Sequence, residues 1–200
     1  MYSLNSFDVL YNDKVIQTLE RPFKVRDHQV VYVENVQLVL KQKGDCALVH
    51  YKDVKDDSYV MNKNPSVYFY IAGKLIKEFK ASIYHCNPCV DFIRDYFILY
   101  DNEKKLGLYN LDGEFIRKID YELEMVRGIN VIKDDFFIVH TWFWTPFFSR
   151  RLYHFDSMMK SSGEEEYVGM SYNFDLECDE LKTLSEEEAL KILEDWEKES

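Results

Sequence analysis

The chain has 200 residues, 46% of them hydrophobic and 16% aromatic, with only 7 Gly and 4 Pro, which excludes a disordered or collagen-like polypeptide and suffices for one domain with a substantial core. Its formal charge of −11 is uneven: residues 161–200 hold 14 of the 36 acidic side chains and 3 of the 25 Lys and Arg, so residues 1–160 are neutral. A neutral body with an acidic tail lacks the basic surface that nucleic acid requires and suits a basic partner.

The opening stretch MYSLNSFDVLYND has neither the basic start nor the apolar run of a secretory leader. No apolar run reaches the roughly 18 residues of a membrane helix, so a soluble, cytoplasmic protein without a membrane span is expected. Cys46, Cys86, Cys89 and Cys178 are too few for a disulfide scaffold.

In chain order, one segment recurs. Lys14-Val15-Ile16-Gln17-Thr18-Leu19, Lys74-Leu75-Ile76-Lys77-Glu78-Phe79 and Glu114-Phe115-Ile116-Arg117-Lys118-Ile119 share the pattern polar, apolar, Ile, polar, polar, apolar. Each follows a two-residue turn signal (Asn12-Asp13, Ala72-Gly73, Asp112-Gly113) and an aromatic-rich run, which predicts three β-hairpins, the first over residues 5–20. A degraded fourth copy is expected over 151–159, with Phe155-Asp156-Ser157 at the turn.

A second strand recurs upstream of the later hairpins at 46–51, 96–101 and 136–141, each after an apolar run at 36–40, 90–93 or 129–132. Each unit then reads strand, turn, strand, loop, strand, turn, strand, with full units near 30–80, 88–120 and 128–160. Four antiparallel strands in about 40–50 residues make a β-propeller blade.

The body therefore resembles a divergent β-propeller repeat, and residues 105–116 are similar to the hairpin of many propeller blades, although the Trp-Asp dipeptide of the WD repeats is missing. The resemblance implies a mainly β fold, a small array of about four blades over residues 1–180. Strands at 167–173 and 174–178 are expected to complete the first hairpin and close a ring; an open array or a two-sheet sandwich is the alternative. Low alanine with abundant Tyr, Phe, Lys and Asp also resembles proteins of large DNA viruses or other AT-rich genomes.

Residues 181–200 predict an acidic amphipathic helix. Ser185 is the N-cap, Glu188 closes a capping box, and Ala189, Leu193 and Trp196 form a stripe. Such a short helix needs a surface, either this chain's own sheet or a partner's groove.

Candidate chemistry is sparse. Cys86-Asn87-Pro88-Cys89 supplies two of the four ligands of a structural zinc and lacks a second pair, so no metal or other cofactor is expected. His50, Tyr100 and His140 share one column of the repeat, which reads as a packing position. Asp56-Asp57 and Asp134-Asp135 read as turns. No phosphate loop, nucleophile elbow or zincin motif is present, so no catalytic residue is assigned.

The segment that stands out is Trp142-Phe143-Trp144-Thr145-Pro146-Phe147-Phe148, followed by Arg150 and Arg151. Aromatic residues beside arginine are the composition of interface hot spots. The expected function is a non-enzymatic interaction module or scaffold. It grips another protein or a second copy of itself through Trp142, Phe143, Trp144, Phe147, Phe148, Arg150, Arg151 and Trp196. The alternative is an enzyme or small-ligand binder with its site at the axial mouth, using His50, His140 and Tyr100.

Overall fold

A computed structural model describes residues 1–26, 29–32, 36–53, 66–80, 90–101, 105–120, 126–132, 135–142, 148–160 and 170–174, together with Lys191 and Glu194. The protein is mainly β, and every strand pair is antiparallel.

The first sheet has three strands, β1 (Tyr2–Asn5), β2 (Asp8–Tyr11) and β3 (Lys14–Thr18). A separate hairpin follows, β4 (Phe23–Arg26) and β5 (Gln29–Tyr32). The second sheet is β6 (Val36–Lys43), β7 (Cys46–Asp53), β8 (Ser66–Ile71) and β9 (Lys74–Lys80). The third is β10 (Val90–Ile93), β11 (Tyr96–Asp101), β12 (Lys105–Asn110) and β13 (Phe115–Asp120). The fourth holds β14 (Val126–Ile132), β15 (Phe136–Trp142), β16 (Phe148–His154) and β17 (Met170–Phe174), with helix α1 (Phe155–Lys160) between the last two.

The recurring segments form the edge hairpins as expected, and their backbones share one irregularity. The ladder slips between Val9 and Leu10, between Phe69 and Tyr70, and between Leu108 and Tyr109. In each case the extra residue on the outer strand is the isoleucine of the motif: Ile16, Ile76 or Ile116. A bulge lodges one surplus residue and sharpens the local twist.

The turns divide into two kinds. Asn12 and Asp13 both have positive φ, as do Ala72 and Gly73, which gives the mirror-image turn that matches strand twist. At the third hairpin only Gly113 does, at 82°, and four residues, 111–114, separate the strands where the sequence implies two. The side chain of Asn110 causes this: its Oδ1 accepts from the Asp112 and Glu114 amides at 3.1 and 2.9 Å, while Gly113 N donates to Asn110 O at 3.0 Å. Local capping by Asn thus replaces the two-residue turn.

Strand alternation sends successive side chains to opposite faces, and consecutive sheets are sealed by three cores. Tyr2 and Val9 of the first sheet meet Leu38, Ala47 and Val49 of the second. Leu48, Val67 and Phe69 of the second meet Val90, Phe97 and Leu99 of the third. Ile98, Leu106 and Leu108 of the third meet Ile129, Phe137 and Val139 of the fourth. The strands β1, β6, β10 and β14 touch in that order.

The turns lock the same order. Tyr2 N donates to Gln42 Oε1 at 3.0 Å and Tyr2 OH to Asp45 O at 3.3 Å. Lys43 Nζ donates to Arg94 O, and Arg94 in turn bonds Asp135 through Nε at 3.1 Å and Asp156 through Nη1 at 2.6 Å. The Arg94 guanidinium also lies 4.7 Å from the centroid of the Phe155 ring. Its pKa is held above the ordinary value by hydrogen bonds first to Asp156 and then to Asp135.

Three expectations are corrected. Residues 155–159 form α1 and not the outer half of a fourth hairpin, because Phe155 and Met158 at i and i+3 both insert into the last core. With that edge left open, β17 pairs with β16 and so does not complete the first hairpin. The first sheet instead gains β1 at its N-terminal side, and β4–β5 was not anticipated. The expected C-terminal helix lies outside the described residues, apart from Lys191 and Glu194, both exposed.

Candidate functional site

The candidate binding segment is built on the fourth sheet. Pairing of β15 with β16 runs from Phe136↔His154 through His140↔Arg150 to Trp142↔Phe148, so the two end residues of the aromatic segment are the last rung of a ladder, not loop. The loop itself is 143–147, outside the described residues. Pairing of β16 with β17 then adds Phe148↔Phe174 and Arg150↔Tyr172. Directly opposed residues share a face, which aligns Trp142, Phe148 and Phe174 in one row and His140, Arg150 and Tyr172 in the next.

That face is the one turned away from the core with the third sheet, since Phe137, Val139 and Tyr153 occupy the other. Arg151 pairs with Val139 and so sits on the core side, apart from Arg150. Of the eight residues expected to bind a partner, the structure brings Trp142, Phe148 and Arg150 to one face. Phe143, Trp144, Phe147 and Trp196 lie outside the described residues. Phe174 and Tyr172 join the face through β17, which sequence reasoning had assigned to another sheet.

The histidine column does not converge. His50 is buried, with Nδ1 3.1 Å from Tyr51 O, which fixes the proton on that nitrogen. By register His50 shares the face of Leu48, toward the third sheet, whereas Tyr100 lies in the next core along. His140 falls on the far face of the fourth sheet. Three equivalent positions thus occupy three different layers, and no common site forms from them.

Other reactive groups are structural. Cys46 is buried, its Sγ 3.9 Å from Leu111 O, and burial pushes its thiol pKa up, with Asp45 and Asp112 adding to the shift. A neutral thiol of this kind is a poor nucleophile. Cys86, Cys89, Cys178, Asp56, Asp57 and Asp134 lie outside the described residues. Among the described residues no three of His, Cys, Asp and Glu gather as metal ligands would, and no helix is long and apolar enough to cross a membrane. Sequence reasoning missed Arg94, whose two carboxylate partners are Asp135, just before β15, and Asp156 at the start of α1; Asp135 was read only as a turn residue.

No family model matches this chain, and no curated protein matches it.

Proposed function

We propose that this chain is a non-enzymatic protein-binding module, a propeller-like array of four sheets whose partner surface is centred on segment 142–148. The acidic tail contributes to the attraction of a basic partner. The observation that carries this reading is the alignment of Trp142, Phe148 and Phe174 across three strands, with Arg150 beside them. Rows of aromatic residues flanked by arginine supply large contact area at low entropic cost and dominate measured binding energies.

The blade reading is supported by the isoleucine bulge common to three hairpins and by the serial contact of β1, β6, β10 and β14. Exposed Ser3 and Asn5 in β1, where the second sheet has buried Ala47 and Val49, favour an array left open at its first sheet. Substituting Trp142 and Trp144 together by Ala tests the function. Loss of a co-purifying protein, or a fall in native mass, is expected; unchanged mass and co-purification would remove the binding assignment.

A further inference from the structure

The first sheet is one strand short. Its hairpin β2–β3 is equivalent to β8–β9 and β12–β13, which makes β1 the counterpart of β7 and β11. Beside β7 lies β6, beside β11 lies β10 and beside β15 lies β14. Among the described residues no strand takes that place beside β1.

Leu4 registers the gap. It matches Leu48 and Ile98 in position and, like them, faces the next sheet, yet it is partly buried where they are fully buried. What it lacks is a neighbour within its own sheet. Hydrogen bonding shows which groups are left over. Asn12 N donates to Met1 O at 2.9 Å, so Met1, Ser3 and Asn5 bond to β2, while Tyr2 and Leu4 turn their amides and carbonyls to the open edge. Gln42 Oε1 meets Tyr2 N at 3.0 Å. Among the described residues no hydrogen bond reaches Leu4 N or Leu4 O.

We propose that this edge of β1 binds an extended strand of another protein, antiparallel to β1, with an acidic residue opposite Leu4. The direction is that of β6, β10 and β14 beside their own neighbours. The acid follows from the same strands. Lys41 lies opposite Leu48, and Asp91 lies opposite Ile98. Lys41 Nζ is 2.8 Å from Asp91 Oδ2, and Val131 N donates to that oxygen at 3.3 Å, so this one position ties each inner strand to the next. A residue opposite Leu4 stands one step before Lys41 on β6, the strand that β1 touches, and a carboxylate there is complementary to Lys41. The strand Tyr2-Ser3-Leu4-Asn5 has no acid of its own, so the β1 of a second copy does not fit.

The inference goes beyond the 142–148 surface and uses none of its residues. Its test titrates the full chain with a capped peptide of the β10 sequence, Val-Asp-Phe-Ile, and with the same peptide carrying Lys for Asp, followed by amide NMR. The Asp peptide should shift the Leu4 amide saturably and slow its exchange, and the Lys peptide should bind several-fold more weakly. Leu4→Pro removes the uncapped edge donor and leaves the bonds to β2, so it should weaken the Asp peptide several-fold. Lys41→Gln, a change at a partly exposed side chain, should erase the preference between the peptides. The proposal is overturned by the absence of a saturable shift at Leu4, by unchanged affinity in Leu4→Pro or by unchanged preference in Lys41→Gln. A native dimer in which the Leu4 amide already resists exchange would also overturn it, since a second copy would then hold the edge. Trp142→Ala with Trp144→Ala should leave peptide binding intact, so the two surfaces can fail separately.

Discussion

Residues at the same place in the first and second sheets have opposite characters. Ser3 and Asn5 in β1 are exposed, while Ala47 and Val49 in β7 are fully buried, although both pairs sit beside strands with the same bulge. The local backbone is shared, so only the neighbour differs: the second sheet has a sheet on each side and the first has one. Burial here is therefore set by position in the stack, as in repeat arrays whose terminal units carry a polar outer face.

The sharpest way to break this comparison is to empty a central position. Phe97 is fully buried, with ring centroids 5.2 Å from Tyr109 and 5.0 Å from Phe69. Phe97→Ala should cost about 3–5 kcal/mol in denaturant unfolding, whereas Ser3→Ala should change stability by less than about 0.5 kcal/mol. Similar effects from the two would contradict the layered account.

Turn glycines sharpen it next. A Cβ at Gly73 would lie 2.7 Å from Tyr11 Cδ1 of the neighbouring sheet and would need a φ of +80°, while one at Gly44 would meet nothing within 4 Å at +56°. Gly73→Ala should therefore lose about 1–3 kcal/mol and Gly44→Ala about 1 kcal/mol, the excess measuring how tightly adjacent sheets interlock. Equal losses by thermal unfolding would leave only backbone strain.

The core between the first two sheets should also be alkali-sensitive. Burial, foremost, raises the pKa of Tyr51 and Tyr70 well above the usual 10.0. The folded state then holds their protons more tightly than the unfolded one, so this stability is complete below pH ~10 and falls as pH rises past the unfolded value. Tyr51→Phe loses the hydrogen bond to Glu20 O at 2.8 Å, about 1 kcal/mol at neutral pH, and should flatten the decline above pH ~10. An unchanged alkaline slope would assign the titration to other groups.

The smallest effect is expected at the clamp between the third and fourth sheets. Arg94 is partly exposed, so Arg94→Met should lower stability less than any of the losses predicted above, and the difference should shrink in high salt. A larger, salt-independent loss would mean that its packing on Phe155 dominates.

Much of the body was legible because strands with two-residue periodicity and positive-φ turns leave local signatures. The segments containing Ile16, Ile76 and Ile116 became three edge hairpins, 46–51 and 96–101 became the strands beside the second and third of these, and 136–141 became an inner strand of the fourth sheet. What could not be read was non-local. Nothing within residues 170–174 distinguishes pairing with β16 from pairing with the first sheet; that depends on α1 leaving the edge of β16 open. Phe155 and Met158 satisfy a helical spacing as well as the hairpin pattern, and their joint insertion into the core decides between the two. At the candidate site, composition singled out Trp142 and Phe148. Only the register of β15, β16 and β17 reveals that they share a face with Phe174, and that Arg150 joins them while Arg151 does not.

Residue-resolved hydrogen exchange under native conditions tests most directly whether place in the stack governs burial. Amides of β7 and β11, covered on both faces, should exchange only through global unfolding, and those of β2 and β3 through easier local opening. Protection in β2 and β3 equal to that in β11 would contradict the account.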